Sequence, residues 1–221
     1  VRPIPWYEGR TSLDLLHGGD WAWIGLRSGD GLNRLHSDLL VALDRLFIEL
    51  RWTGVRRVLV SGAGWMTGHG HHFSAGADLH EVGALHAVSA DPFARRGQRV
   101  MAHLLWPGWR SLTLISGVAM GGGCDLALHG QERWAVAADA AGRGGLRLAH
   151  PAAKHGILTG FGGTLRLPEL LGSEGADRLF RKFETWDEWT ALTQGAVHRI
   201  VDPASAKSAV LDWLEPQRLS G

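Results

Sequence analysis

Glycine placed where apolar strands end and helices begin is the feature that most narrows the folds open to this chain of 221 residues. "VRRVLVSGAG" reads as a β-branched strand closing on glycine, and "SLTLISGVAM" as a strand closing on the triplet Gly121-Gly122-Gly123. "GFGGTLRLPELLG" is a glycine turn leading into a helix. Between these lie helical patterns. Leu35, Leu39, Leu43 and Leu46 in "NRLHSDLLVALDRLFIEL" fall on one helical face, and "FARRGQRVMAHLL" predicts another helix. "SLDLLHGGDWAWIGL" predicts two short strands around the turn His17-Gly18-Gly19-Asp20, and "ERWAVAA" a further strand. Strands alternating with helices predict an α/β architecture. The length fits one domain with an ample core.

Charge and composition exclude several function classes. A formal net charge of +1 provides no global field for nucleic acid or an anionic membrane. Apolar residues at 45% and charged residues at 20% are ordinary globular proportions. One cysteine cannot close an internal disulfide, which fits a reducing compartment. No apolar run reaches the roughly 18 residues of a spanning helix. A cytoplasmic protein with no nucleic-acid or membrane partner is expected.

Two glycine-bearing junctions carry the chemistry. Glycine leaves main-chain N–H groups uncovered, and the first amides of a helix have no intrahelical acceptor. "GVAMGGGCDLAL" (117–128) and "FSAGADLHEV" (73–82) each follow a strand and precede a helical segment. One N–H from each could hold the oxygen of a thioester carbonyl as it becomes an enolate. The carboxylate of Asp125 would stand beside it as a base. The competing reading of that residue is a first-turn acid answering the helix dipole. Neither junction has a phosphate-loop pattern or a clean dinucleotide fingerprint, so nucleotide hydrolysis and a Rossmann site are not expected.

With both junctions in view, the chain resembles the crotonase superfamily, the enoyl-CoA hydratases and isomerases. The resemblance rests on "FSAGADLHEV", "LISGVAMGGGCDLAL" and "HGILTGFGGTLRLPELLG", in family order, and covers roughly residues 13–203. It implies a spiral of ββα turns with a shortened C-terminal helical region: a core domain over 1–203 and a short helical tail over 204–221. It implies an enzyme acting on an acyl-CoA or acyl-carrier thioester, with coenzyme A entering as part of the substrate, no permanently bound cofactor, and a homotrimer or hexamer as the assembly. Carried over by position, the oxyanion amides fall on Ala77 and Gly122. Ala75, Ala77, Asp78, Leu79, Gly121 and Gly122 fall on the segments lining the CoA and thioester path.

The acid–base pair departs from the family. Hydratases place a Glu after "GGGC" and another in a "PE" dipeptide; here these positions read Asp125 and Ala152. The dienoyl-CoA isomerase branch shares the Asp but needs two more acids, where this chain has Ala152 and Gly160. Hydration needs one group to activate water and a route to protonate the α-carbon. One carboxylate therefore favours isomerisation or another enolate-forming step over full hydration. The "NRP" of the family reads Arg27-Ser28-Gly29, and an insertion, "WMTGHGHH", precedes Phe73.

Histidine is the natural substitute acid or base. His150 and His155 flank the lost Glu and are candidates for that role, which would suit a hydrolase or decarboxylase. A non-catalytic homologue that binds a thioester or a partner protein is the other alternative. His69, His71 and His72 lack companion carboxylates or thiolates and read as a solvated loop, so no metal site is expected. Cys124 reads as packing, and Glu81 and Glu169 as solvated charges. Trp106, Trp109, Trp134, Trp186 and Trp189 read as core or interface residues in preference to an acyl pocket.

Overall fold

The computed structural model describes residues 4–64 and 72–215. The chain opens with β1 (Ile4–Tyr7), β2 (Thr11–Gly18) and β3 (Trp21–Ser28), then α1 (Ser37–Leu50) and β4 (Arg57–Gly62). Next come α2 (Leu79–Gly83), α3 (Ala87–Leu104), β5 (Arg110–Ile115), β6 (Val118–Met120) and α4 (Gly122–Leu128). The remainder is β7 (Glu132–Val136), β8 (Arg147–Ala149), a 3-10 turn (Pro151–His155), α5 (Gly163–Phe180, kinked at Gly172), β9 (Thr185–Trp186), α6 (Glu188–Thr193), β10 (Arg199–Val201) and α7 (Ala206–Leu214).

The predicted hairpin and the α/β alternation are present. β2 and β3 pair antiparallel in register from Thr11 opposite Ser28 to Gly18 opposite Trp21, leaving a two-residue turn. β3, β4, β5, β7 and β10 run parallel in a seven-stranded sheet of order β1-β2-β3-β4-β5-β7-β10. Its inner strands are apolar on both faces, as a parallel sheet covered on both sides requires. Val58 and Val60 of β4 point into the main core with α1 and α3. Leu59 joins the smaller core on the other face with Trp23, Leu112 and Trp134. Ala206, Val210 and Leu214 of α7 close that second core. α7 is helical and packed as far as Leu214, and residues 216–221 lie outside the described residues.

One expectation is corrected. "SLTLISGVAM" is not a single strand but two, β5 and β6, in different sheets. The break is at Gly117, whose φ of +56° turns the chain out of the large sheet. β6 then pairs parallel with β8, and β8 antiparallel with β9, in a second sheet of three strands. Glu188 holds the glycine-rich connection that delivers β8, its carboxylate accepting from the N–H groups of Ala138 (3.1 Å) and Leu146 (3.0 Å). This small sheet carries the junction entering α4 and therefore positions the site. α3 also begins earlier than the sequence pattern suggests, at Ala87, with Pro92 accommodated inside it.

Candidate active site

Residues 73–77 form a strand-like rail clamped on both sides. On one side the Ser74 N–H donates to the Val118 carbonyl (3.0 Å), and Met120 N–H donates to the Ser74 carbonyl (3.0 Å). On the other, Ala75 N–H donates to Leu32 O (2.8 Å) and Leu35 N–H to Gly76 O (2.9 Å). Ser74 Oγ ties the rail to Asn33 O (2.7 Å), and Asn33 Nδ2 donates to His72 O (2.9 Å). The Gly121 N–H donates to Ala149 O (2.9 Å), fixing the head of α4 to β8.

This clamping brings the two predicted amides together. A Cβ built on Gly122 would lie 3.6 Å from the Ala77 nitrogen, and one on Gly76 would lie 3.1 Å from the Gly122 nitrogen. Gly76 must be glycine: its φ is +89°, and a Cβ there would meet the Met120 carbonyl oxygen at 2.3 Å. Neither the Ala77 nor the Gly122 N–H has a hydrogen-bond acceptor among the described residues. Two adjacent, unsatisfied N–H groups, one at a helix N-terminus, can receive a developing oxyanion. Asp78, one residue on, is committed to capping α2 through the N–H groups of His80 (2.8 Å) and Glu81 (3.1 Å), and Leu79 is exposed.

The side-chain half of the site lies one turn into α4. Asp125 is completely buried. Thr159 donates its hydroxyl hydrogen to Asp125 Oδ2, and the Gly163 N–H at the head of α5 favours the charged form. His150 Nε2 lies 3.5 Å from Asp125 Oδ1, and neither atom has a hydrogen-bond partner among the described residues. Burial pushes the Asp125 carboxyl up to about 7 against the opposing help of Thr159 and Gly163. Burial alone presses His150 down to about 4. His150 therefore sits beside Asp125 as a neutral ring, edged against Phe180 with centroids 4.5 Å apart. His155 ends the 3-10 turn in an exposed position. Ala152 has no proton to give.

Two residues of this wall were not singled out from sequence. Thr159 is joined to Asp125 only through tertiary folding. His129 lies four residues after Asp125, on the same helical side, a spacing visible in the sequence. Its Nδ1 is 2.7 Å from the Asp125 carbonyl oxygen, so that nitrogen carries the hydrogen and Nε2 keeps a lone pair. Burial, with Arg166 nearby, lowers the His129 pKa to about 4. Both residues line a cleft of about 400 Å³ shared with Gln98, Phe161 and Arg166. Phe161 is buried, and its ring occupies the space a Cβ on Gly122 would enter, at 2.6 Å. The cleft and the amide pair therefore share Phe161 as a wall.

The remaining candidates lie elsewhere in the molecule. Cys124 is buried and its thiol is raised well above its ordinary value by burial, so it is held as an unreactive thiol. Glu81 is not purely solvated, since it accepts from the Ser37 N–H (3.0 Å) at the head of α1. Trp106 and Trp109 pack edge to face, centroids 4.8 Å apart, at the first core, which also holds Trp186, whereas Trp134 belongs to the second core and Trp189 is exposed, so the five do not form one pocket. His69 and His71 lie outside the described residues. His72 Nδ1 accepts from the Val118 N–H at 3.2 Å. Among the described residues no group of three His, Cys, Asp or Glu side chains could hold a metal ion, and no helix is long and apolar enough to cross a membrane.

With this geometry in place, the chain belongs to the enoyl-CoA hydratase/isomerase family, whose family model matches residues 53–216. It is 30% identical over 187 residues to a short-chain-enoyl-CoA hydratase of Clostridium acetobutylicum, a match covering 84% of this chain and 67% of that protein. The structure is similar to that of Pseudomonas aeruginosa DspI, with a TM-score of 0.81 and 30% identity over 92% of this chain and 73% of that one. It is also similar to an enoyl-CoA hydratase of Thermoplasma volcanium, with a TM-score of 0.79 and 25% identity over 92% and 77% of the two chains. The α/β crotonase-type fold expected from the sequence is therefore present.

Proposed function

We propose that this chain acts on an acyl-CoA thioester by enolate chemistry, in the manner of an isomerase more than of a full hydratase. The observation that carries the reading is the pair of N–H groups of Ala77 and Gly122, without an acceptor among the described residues and set side by side next to one buried carboxylate. The thioester oxygen would sit between those amides, and enolate charge would be stabilised there without reorganisation. Asp125, with its carboxyl near 7, can take and return a proton at neutral pH. Ala152 supplies no second carboxylate to activate water, and burial, by lowering His150 to about 4, makes it a weak base for that task. A single group that removes and returns one proton suffices to shift a double bond. Coenzyme A is part of the substrate in this proposal, and assembly as a homotrimer or hexamer belongs to it.

One observation favours a second reading, that of a homologue binding thioesters without turnover. Asp125 has no exposed surface and Phe161 packs on Gly122. The discriminating experiment is exchange of the α-protons of an acyl-CoA with solvent deuterium. The wild-type protein is expected to catalyse it. Asp125→Asn should lose about 100-fold or more while keeping thioester affinity, the scale of one general base. Thioester binding with no exchange by the wild type would establish the second reading and remove the first.

A further inference from the structure

Asp125 has no exposed surface, so it cannot itself touch a substrate in this arrangement. Its carboxylate faces three groups: the Thr159 hydroxyl, the Gly163 N–H and the His150 ring. Of these, only Thr159 also lines the 400 Å³ cleft that abuts the amide pair through Phe161. A hydroxyl has one hydrogen and two lone pairs. Here the hydrogen goes to Asp125 Oδ2, and one lone pair accepts the Phe161 N–H at 3.2 Å. The second lone pair has no hydrogen-bond partner among the described residues.

From this arrangement we infer that Thr159 is the catalytic residue that exchanges a proton with the substrate, with Asp125 behind it as the proton store. The inference rests on the enolate reading of the site. In the forward step the substrate α-C–H bond breaks, its proton passes to Thr159 Oγ1, and the Thr159 O–H proton passes to Asp125 Oδ2. The C–H electron pair moves onto the thioester carbonyl, whose oxygen the Ala77 and Gly122 amides hold. Asp125 becomes neutral, Thr159 ends as it began, and nothing is oxidised or reduced. Reversal of the same path at the γ-carbon completes a double-bond shift.

Several ionisable groups surround this path. Cys124 comes from α4 and His129 from its C-cap, His150 from the end of β8, and Arg166 and Glu169 from α5. Cys124 is held protonated, and His129 and His150 neutral, by burial. Asp125 is the group among them raised to about 7, so exchange should rise with pH through that value.

The test compares deuterium exchange into butyryl-CoA by the wild-type chain, Thr159→Val, Thr159→Ser and Asp125→Asn, each with its thioester affinity and pH profile. Thr159→Val is expected to lose about 100-fold or more in the exchange rate at saturation, with affinity within about threefold. Thr159→Ser should recover to within about tenfold of wild type and keep the rising limb. Thr159→Ala stands in if the valine variant fails to fold. Near-wild-type exchange by Thr159→Val beside an inactive Asp125→Asn overturns the relay and leaves the enolate reading standing. Loss in Thr159→Val without recovery in Thr159→Ser also overturns the relay. Unimpaired exchange by Asp125→Asn, or none by the wild type, overturns both.

Discussion

The two halves of the site are built from different material. The amide half is main chain: Ala77 and Gly122 are aligned by backbone hydrogen bonds of the 73–77 rail and by glycines whose missing side chains allow the approach. The acid–base half is side chain: Asp125, Thr159, His129 and His150 converge from α4, the 159–163 turn and the end of β8. The first half falls where the family resemblance implies an amide pair. The second departs from it, since Ala152 stands where that resemblance implies a carboxylate. A main-chain device tolerates side-chain change wherever the glycines remain, whereas a proton-transfer pair is lost by one substitution. The electrostatics differ in the same way. The amides offer fixed dipoles, while burial keeps Asp125 near the boundary between its two protonation states.

Two glycine substitutions should separate the halves. The largest effect is expected from Gly123→Ala, whose Cβ would meet the Ser74 carbonyl oxygen at 2.2 Å, backbone against backbone. It should cost about 3 kcal/mol in chemical denaturation and weaken thioester binding, because rail and helix must part. Gly163→Ala is the counterpart on the acid–base side. Its Cβ would lie 1.9 Å from Asp125 Oδ1, and a side chain can turn where a backbone cannot. A smaller loss of about 1–2 kcal/mol is expected, with thioester affinity kept and proton exchange lost. If Gly163→Ala weakened binding as much as Gly123→Ala, the division into two halves would be wrong.

A pH dependence probes the acid–base half alone. The ordinary Asp value of 3.8 is raised to about 7 in the fold, so between these values the unfolded chain releases a proton that the folded chain retains. That contribution is fully present below about 4 and is lost as pH rises towards 7. His129 and His150 act with the opposite sign, from 6.5 down to about 4, and cancel when wild type is compared with Asp125→Asn. The stability advantage of Asp125→Asn should therefore grow with pH by about 1 kcal/mol per unit between 5 and 7, then level off. A flat difference across that range would place the Asp125 pKa near its ordinary value.

Local pattern made much of the fold legible. The β2–β3 hairpin, α1 and β4 follow from turn residues and apolar spacing, which act over short stretches of chain. The second sheet was not legible. "SLTLISGVAM" is apolar throughout, and only its pairing partners, β4 and β7 against β8, reveal the division at Gly117. The helix before Phe93 was not legible, because Pro92, the sixth residue of α3, can make no N–H bond back to the Val88 carbonyl, and the helix nonetheless runs through it. In the candidate site, the glycine-bearing junctions were legible as places with uncovered amides, and the choice of Ala77 and Gly122 within them came from the family resemblance. Thr159 gave no signal, since its bond to Asp125 spans 34 residues of sequence. His129 gave one, the interval of four after Asp125, but only the fold shows its open nitrogen facing the same cleft.

The central claim is that intact amides and a lone relayed carboxylate support enolate formation without efficient addition of water. Supplying the protein separately with a 3-enoyl-CoA and a 2-enoyl-CoA, and following product by mass, tests it most directly. Conversion of the 3-enoyl to the 2-enoyl thioester should exceed hydration of the 2-enoyl thioester by about 100-fold or more, the usual contribution of one acid–base group. Hydration as fast as isomerisation would contradict the account.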